Sequence, residues 1–582
     1  MLSTCYTCCV VLLLLRRCGC SPPRPTRPSA SHLIFFFHSR PDSYQGTPFP
    51  TRAASPLNLA EFSRELYDYP NPQKRFVLDG IRDGFHVGFV PATVTLRSRS
   101  RNLTSTLDHP GVIDQYLATE VALHRVAGPF PSPPLPDLQV GPFGVIPKRN
   151  QPGKWCLILD LSSPHGSSVN DGIPKDPYSM HYVTVDDAIW ELSSFGPGAF
   201  MAKFDVEAAY RNIPIHPSNH FLFGMRWRDQ FYVDLVIPFG LRSAPYLFDA
   251  VASAVHWILE TNYQVSPLLH YLDDFLTMGP ANSHQSQSHV SSAFEIFKRL
   301  GLPLHPTKCE GPATTLVFLG IELDSIRQTA RLPNEKFERI LALLRSWVTR
   351  RTCHRQELES LIGHLHHACK VVRPGRAFLR NMIDLLSHFR NRVHPIRIKS
   401  EFRRDLQWWL AFFREWNGIS FFLLPGLTPL PDLSVASDAA GSVGFGAFWN
   451  THWFAESWSF LPSAPSIAFQ ELLPIVVASH LWGPQWSKQH VLFLCDNAAV
   501  VYTLNAGTSR CPKMMHLLRA FIRTACLHSF AFSARHTPGR LNSAADALSR
   551  FRFQEFQRLV PQADSGPSTI PPALLLSLVP PT

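Results

Sequence analysis

The sequence predicts two globular units in tandem, a larger α+β unit followed by a smaller α/β unit. Three observations carry this reading. Hydrophobic residues make up 45% of the 582-residue chain, enough for several cores. Strand-type and helix-type apolar patterns alternate over residues 58–425 and again over 432–552. Between these stretches, LTPLPDL (427–433) reads as a linker.

Taken in order, residues 1–57 read as a disordered leader with the Pro-rich run SPPRPTRPSA inside it. Five of the 12 cysteines stand in its first 20 residues, with no histidine there to complete a zinc pattern. The apolar run Val10–Leu15 is too short to cross a bilayer, and its arginines follow it where a signal peptide would have them in front. The remaining cysteines are scattered singly, as in a reduced intracellular protein. Residues 58–127 form an N-terminal helical extension, punctuated by GIRDGFHVGF. GPFGVIPKRNQPGKWCLILDLS (141–162) is two strands joined by a basic turn, and AFMAKFDVEAAYRNIPI (199–215) is a strand entering a short helix. Residues 231–259 give a strand, a glycine turn and a long helix, and LVFLGIELD (316–324) is a strand. From Asn334 to Trp416 the pattern is helical and rich in Arg and His. After the linker come a hairpin, a helix, a strand with its helix, and a closing loop and helix. Residues 553–582 read as a disordered Pro- and Ser-rich tail. Lys and Arg outnumber Asp and Glu by 55 to 44, a net charge of +11 that favours a polyanionic partner.

The acids in apolar surroundings carry the chemistry. In LLHYLDDFLTMG, an apolar strand runs into Asp273 and Asp274 and an apolar strand follows, so the two carboxylates sit at a hairpin tip. Burying two adjacent negative charges is costly unless a divalent cation neutralises them. Asp205 ends another apolar strand, and three carboxylates on neighbouring strands suit two-metal phosphoryl transfer.

The blocks KFDVEAAY, PFGLRSAPYLF, HYLDDF, HPTKCEG and VFLGIEL stand in the order of reverse transcriptase motifs. Over residues 58–425 the chain resembles the polymerases of LTR-type and tyrosine-recombinase (DIRS/Ngaro-like) retrotransposons. LSSPHGSSVNDGI and GIRDGFHVGF lean toward the latter. The resemblance implies an α+β right-hand polymerase with fingers and palm over 128–324 and thumb/connection over 325–431. It implies that Asp205, Asp273 and Asp274 bind the metals, that Tyr210 is a steric gate against ribose, and that Phe239 and Gly240 lie under the template base and nucleotide. By the same resemblance Lys148, Arg149 and Lys154 face the triphosphate, Lys308 donates a proton to the leaving pyrophosphate, and Phe318-Leu319-Gly320 is a primer grip. One departure is Cys156, which follows Trp155 where such polymerases carry an arginine; a thiol offers no guanidinium fork.

In the C-terminal unit Asp438, Glu471, Asp496 and Asp546 each have apolar neighbours, and four converging carboxylates need counter-charge. With DAAGSVGFGA opening and HTPGRLNSAADALSR closing it, the stretch 432–552 resembles an α/β RNase H-like domain of the same retroelements. That resemblance makes the four acids metal ligands, puts His536 in a mobile loop that assists metal or product exit, and lets Asn542 shape the site. Asn497 is a candidate contact to the hybrid near a 2′-hydroxyl. Basic residues of the 334–425 stretch are candidates for duplex phosphates. HLHHAC, with His364, His366, His367 and Cys369, has zinc-like spacing but no second cluster to complete it.

The expectation is an RNA-directed DNA polymerase that also cleaves RNA in RNA–DNA hybrids. Each active site would use two Mg²⁺ or Mn²⁺ ions. Its partners would be RNA template, DNA primer, hybrid and dNTPs, in the cytoplasm or nucleus and away from membranes. The rival is an impaired retroelement remnant that only binds nucleic acid, motivated by Cys156 and the Cys-rich leader.

Overall fold

The computed structural model describes residues 49–50, 53–96, 101–147, 155–281, 283–391, 394–415, 419–421, 431–461 and 466–579. The described residues fall into two compact units, one containing 49–184 together with 198–316, the other containing 185–197 and 317 onward.

The first unit is built on a four-stranded antiparallel sheet in the order Leu268–Tyr271, Asp274–Gly279, Phe200–Asp205, Glu310–Ala313. Its two central strands are buried along nearly their whole length, and Met201, Phe204, Phe275 and Met278 are fully buried. The amphipathic helix Gln285–Leu300 covers one face, with Phe297 edge-on to Phe275 at 5.2 Å. Helix Ala244–Trp257 follows the Gly240 turn and buries Leu247, Phe248 and Val251. The strands Phe143–Pro147 and Trp155–Leu159 pair antiparallel, with Ile146 opposite Cys156. The expected N-terminal helices are Leu59–Glu65 and Asn71–Asp83, broken at Pro70. Asn58 caps the first through its side-chain oxygen, which accepts from Glu61 N at 3.3 Å.

Arg211 is buried between Glu120 and Asp234, donating to Glu120 at 2.6 Å and paired with the Asp234 carboxylate at 2.7 Å. Glu120 also meets Arg125 at 3.9 Å, and the two Arg211 pairs tie down the turn that carries its neighbour Tyr210.

In the second unit a five-stranded sheet runs His452–Ser457, Gly444–Trp449, Leu433–Ala440, His490–Cys495, Ala531–His536. The first three strands are an antiparallel meander and the last two run parallel to Leu433–Ala440. Helix Ile467–Trp482 is apolar nearly all round and buried over Phe469–Ser479, as a helix packed on a sheet and a second helix must be.

Two expectations are corrected. The helical stretch 334–415 groups with the C-terminal sheet, although the 427–433 linker suggested a break there. The reason is a buried ion pair: Asp405, fully buried, is held by Arg519 of helix Pro512–His528, whose guanidinium also lies 5.3 Å from the Phe378 ring. The tail drawn as disordered carries helices Phe553–Leu559 and Pro572–Leu578. Part of its apolar content is anchored: Phe556, Val560, Ile570, Leu575 and Leu578 are buried, while Phe553, Leu559 and Leu576 stay exposed. Trp453 Nε1 donates to Asp564 O at 2.9 Å, and His452 meets the Asp564 carboxylate at 2.7 Å. Residues 1–48 of the leader lie outside the described residues, but at its end Ala53 and Leu57 are buried and the Ser55 hydroxyl donates to Asn212 O. Among the described residues no helix is long and apolar enough to cross a membrane.

Candidate active sites

Tyr271 pairs with Asp274, so Leu272 and Asp273 form a two-residue hairpin turn. Leu272 takes the left-handed φ of +55° without being glycine. Its side chain is 1% exposed, and that burial offsets part of the strain. Asp205 lies opposite Asp274 on the adjacent strand, bringing the three expected carboxylates to one end of the sheet. Asp205 and Asp273 are buried. Burial, reinforced by Asp274 and Asp205, pushes the Asp273 carboxyl up to about 7, and burial with Asp205 pushes Asp274 up to about 6. The nearest cation is Lys308, whose Nζ donates to Asp205 Oδ1 at 2.7 Å. Burial opposes the Lys308 charge, but the Asp205 bond together with the charges of Asp205 and Asp273 holds the ammonium above its usual range. Lys308, with Lys203 acting on Asp274, does not neutralise three clustered acids, so the donor set fits divalent cations.

This fixes a pH dependence. A carboxyl near 3.8 when unfolded and near 6 to 7 when folded stabilises the fold while it keeps its proton. That stability is lost as pH rises from about 4 through about 7 and stays lost above. In thermal melts, added Mg²⁺ should therefore raise Tm by several degrees at pH 8 and hardly at all at pH 5. An equal rise at both pH values would contradict the assignment.

Tyr210 is buried against Phe239 and Phe248, with ring centroids at 5.4 and 5.9 Å. Gly240 has φ +97°, and a Cβ there would stand 3.0 Å from Leu159 O, so the turn needs glycine. Asn170 clasps this turn, donating to Gly240 O at 2.9 Å and accepting from Arg242 N at 2.8 Å. Lys148, Arg149 and Lys154 lie outside the described residues, as does the side chain of Cys156. In the second unit, Phe318-Leu319-Gly320 forms a turn held by Lys336, which donates to Gly320 O at 3.1 Å, and by His367 at 3.2 Å. His367 is thus engaged, and Cys369 is buried in the core.

The four acids of the second unit also converge. Asp438 is central in its sheet and accepts from Ser549 Oγ at 2.6 Å; burial still raises its carboxyl. Glu471, on the helix packed behind, is pushed up to about 9 by burial and then by Asp438 and Asp496. Asp496 directly follows strand His490–Cys495. Asp546, on helix Ser543–Ser549, is more open and pairs with Arg550 at 2.7 Å and with Arg552. It adds to the charge felt by Asp438. Among the described residues the one group of three close metal-donor atoms is Glu471, Cys495 and Asp496, all within 4.8 Å. Cys495 is not among the residues expected from the sequence, although its place directly before Asp496 is the available signal. Burial pushes its thiol up to about 12, so the thiol keeps its proton near neutral pH.

Two residues differ from expectation. His536 ends strand Ala531–His536, where pairing with Cys495 fixes the backbone, and its Nε2 donates to Asp496 O at 2.9 Å; it does not sit in a mobile loop. The Asn497 oxygen caps helix Ala498–Ala506, accepting from Ala499 N and Val500 N, which leaves only its amide nitrogen for a ligand. Asn542 is buried and donates to Ser437 O at 2.9 Å, next to Asp438. Asn542→Ala should cost about 1–3 kcal/mol of stability by orphaning that carbonyl. Urea unfolding measures this, and an unchanged midpoint would refute it.

Residues 146–323 match the family described as reverse transcriptase (RNA-dependent DNA polymerase). The retrovirus-related Pol polyprotein from transposon 412 of Drosophila melanogaster is 22% identical over 432 residues, 72% of this chain and 31% of that protein. Protein P of heron hepatitis B virus is 21% identical over 295 residues, 50% of this chain and 35% of that protein. The chain thus spans about a third of the length of these two relatives. A structure of the foamy viral protease-reverse transcriptase with double-stranded DNA aligns with TM-score 0.47 and 16% identity, over 85% of this chain and 84% of that one. Residues 146–323 match the reverse transcriptase family and contain the antiparallel sheet that carries Asp205, Asp273 and Asp274, in a chain similar to the Pol polyprotein of a retroelement.

Proposed function

We propose that the chain is a retroelement RNA-directed DNA polymerase whose second unit is a ribonuclease H for RNA in RNA–DNA hybrids. The observation that carries the reading is the buried convergence of Asp205, Asp273 and Asp274 at one end of the palm sheet. Two Mg²⁺ or Mn²⁺ ions per site would activate the attacking oxygen and stabilise the leaving one.

Asp205, Asp273 and Asp274 would hold these ions for polymerisation, with Lys308 keeping Asp205 neutralised beforehand. The hairpin geometry places the acids before substrate arrives, which in-line phosphoryl transfer needs more than covalent help. Tyr210, wedged between Phe239 and Phe248, presents a rigid ring against a ribose 2′-hydroxyl and so selects dNTPs. Asp438, Glu471, Asp496 and Asp546 would hold the ions of the nuclease site. His536 ties the Asp496 backbone, and Asn542 holds the strand beside Asp438.

The partners on this reading are RNA template, DNA primer, hybrid and dNTPs, in the cytoplasm or nucleus. Affiliation with tyrosine-recombinase retrotransposons rests on LSSPHGSSVNDGI and GIRDGFHVGF. A DNA primer annealed to end-labelled RNA tests both activities in one reaction. The primer should lengthen and the RNA shorten behind it, in a reaction abolished by EDTA. Lengthening without RNA cleavage would remove the nuclease half.

A further inference from the structure

Away from the two acid clusters, the first unit carries a paired-histidine site that the proposed chemistry does not use. Helix Ala244–Trp257 bears Asp249 and His256, the π-helical continuation Ile258–Asn262 bears Glu260, and strand Leu268–Tyr271 bears His270. His270 Nε2 faces Asp249 Oδ1 at 3.5 Å, and His256 Nε2 faces Glu260 Oε2 at 3.5 Å. The two Nδ1 atoms face each other at 2.8 Å.

Two protonation patterns fit these contacts. With a hydrogen on one Nδ1, the 2.8 Å contact is a hydrogen bond between the rings. With both hydrogens on Nε2, toward the carboxylates, the two Nδ1 atoms present lone pairs to a shared positive centre. Burial pushes His256 down to about 4, which favours the neutral ring. Among the described residues neither Asp249 nor Glu260 has a Lys or Arg ion pair, so the four groups together are net negative. A shared proton offsets one of the two charges, and a divalent cation offsets both. An imidazole oriented by a carboxylate on its far nitrogen is also the usual setting of a metal-bound histidine.

We propose that His256 and His270 bind a divalent transition ion of the Zn²⁺ class through their Nδ1 atoms, with Asp249 and Glu260 orienting the rings and water completing the coordination. Zinc–nitrogen bonds of about 2.0–2.1 Å in a tetrahedral arrangement need the nitrogens roughly half an ångström further apart, a small ring shift. Imidazole donors favour such ions over Mg²⁺, so the site is chemically distinct from the carboxylate clusters. It is also coupled to one of them. His270 immediately precedes the Tyr271–Asp274 turn and stacks on Phe275, with centroids at 5.4 Å and planes at 22°.

The test is equilibrium dialysis of the metal-stripped full chain against Zn²⁺. It compares wild type, His256→Gln/His270→Gln and Asp249→Asn/Glu260→Gln. The histidine variant should bind one Zn²⁺ fewer per chain, and the carboxylate variant should bind that ion on the order of tenfold more weakly. Cu²⁺ bound at the site should show electron-spin coupling to two imidazole nitrogens, lost in the histidine variant. Equal Zn²⁺ stoichiometry in a folded histidine variant would overturn the proposal. If that variant does not fold, unchanged Zn²⁺ affinity in the carboxylate variant overturns it and leaves a shared proton. These readouts measure binding alone, so a wild type that extends no primer leaves this inference standing.

Discussion

Asp273→Asn combined with Asp274→Asn should abolish primer extension, by on the order of a thousandfold or more, while template–primer binding persists. Both acids are charge donors in a turn whose shape comes from strand pairing and the buried Leu272, so the amides leave the backbone in place. What they remove is the negative charge that draws divalent cations to the strand end. The same substitution should raise stability in the absence of metal. Burial and mutual repulsion hold both carboxyls well above their usual value, and neutral amides relieve that repulsion above about pH 7. Steady-state extension and a melt of metal-free protein at pH 8 check the two halves. Lower activity with lower Tm would point to a folding defect, and undiminished extension would remove these acids from the mechanism.

Glu471→Gln should abolish hybrid cleavage, by about a hundredfold or more, and leave extension intact. Glu471 is buried behind the sheet with Asp438 and Asp496 as its electrostatic neighbours. Glutamine keeps its volume and removes its charge. With the carboxyl raised to about 9, metal-free protein loses stability from this group as pH climbs from about 4.5 through about 9. The variant should flatten that part of the stability profile. RNA-shortening assays on preformed hybrid give the activity, and retained cleavage would sink the nuclease assignment for Glu471.

How far the sequence reaches depends on whether a residue's partners are local. The hairpin acids were legible because adjacent charges inside an apolar run have few explanations. Asp205 was legible from its strand end and the ordered blocks around it. Its contact with Lys308 spans 103 positions, and no local pattern announces it. The ion pair of Asp405 with Arg519 was illegible for the same reason, and with it the grouping of the 334–415 helices. The tail was misread because Pro- and Ser-rich composition says nothing of where each lone Phe, Ile or Leu is buried. Asn497 shows a different limit. A polar side chain after a strand-end acid can serve a ligand or a helix N-terminus, and only geometry reveals the second use. Cys495 was passed over because a thiol in an apolar strand reads as core until Glu471 and Asp496 are seen beside it.

The most direct test of the central claim is primer extension by the wild-type chain on poly-rA/oligo-dT with dTTP and Mg²⁺. The account predicts processive addition that stops with EDTA and discriminates against UTP. A folded protein that binds this template–primer but adds no nucleotide would contradict it, leaving a nucleic-acid-binding remnant. Restoration of extension by Cys156→Arg would then locate the defect in the hairpin Phe143–Leu159.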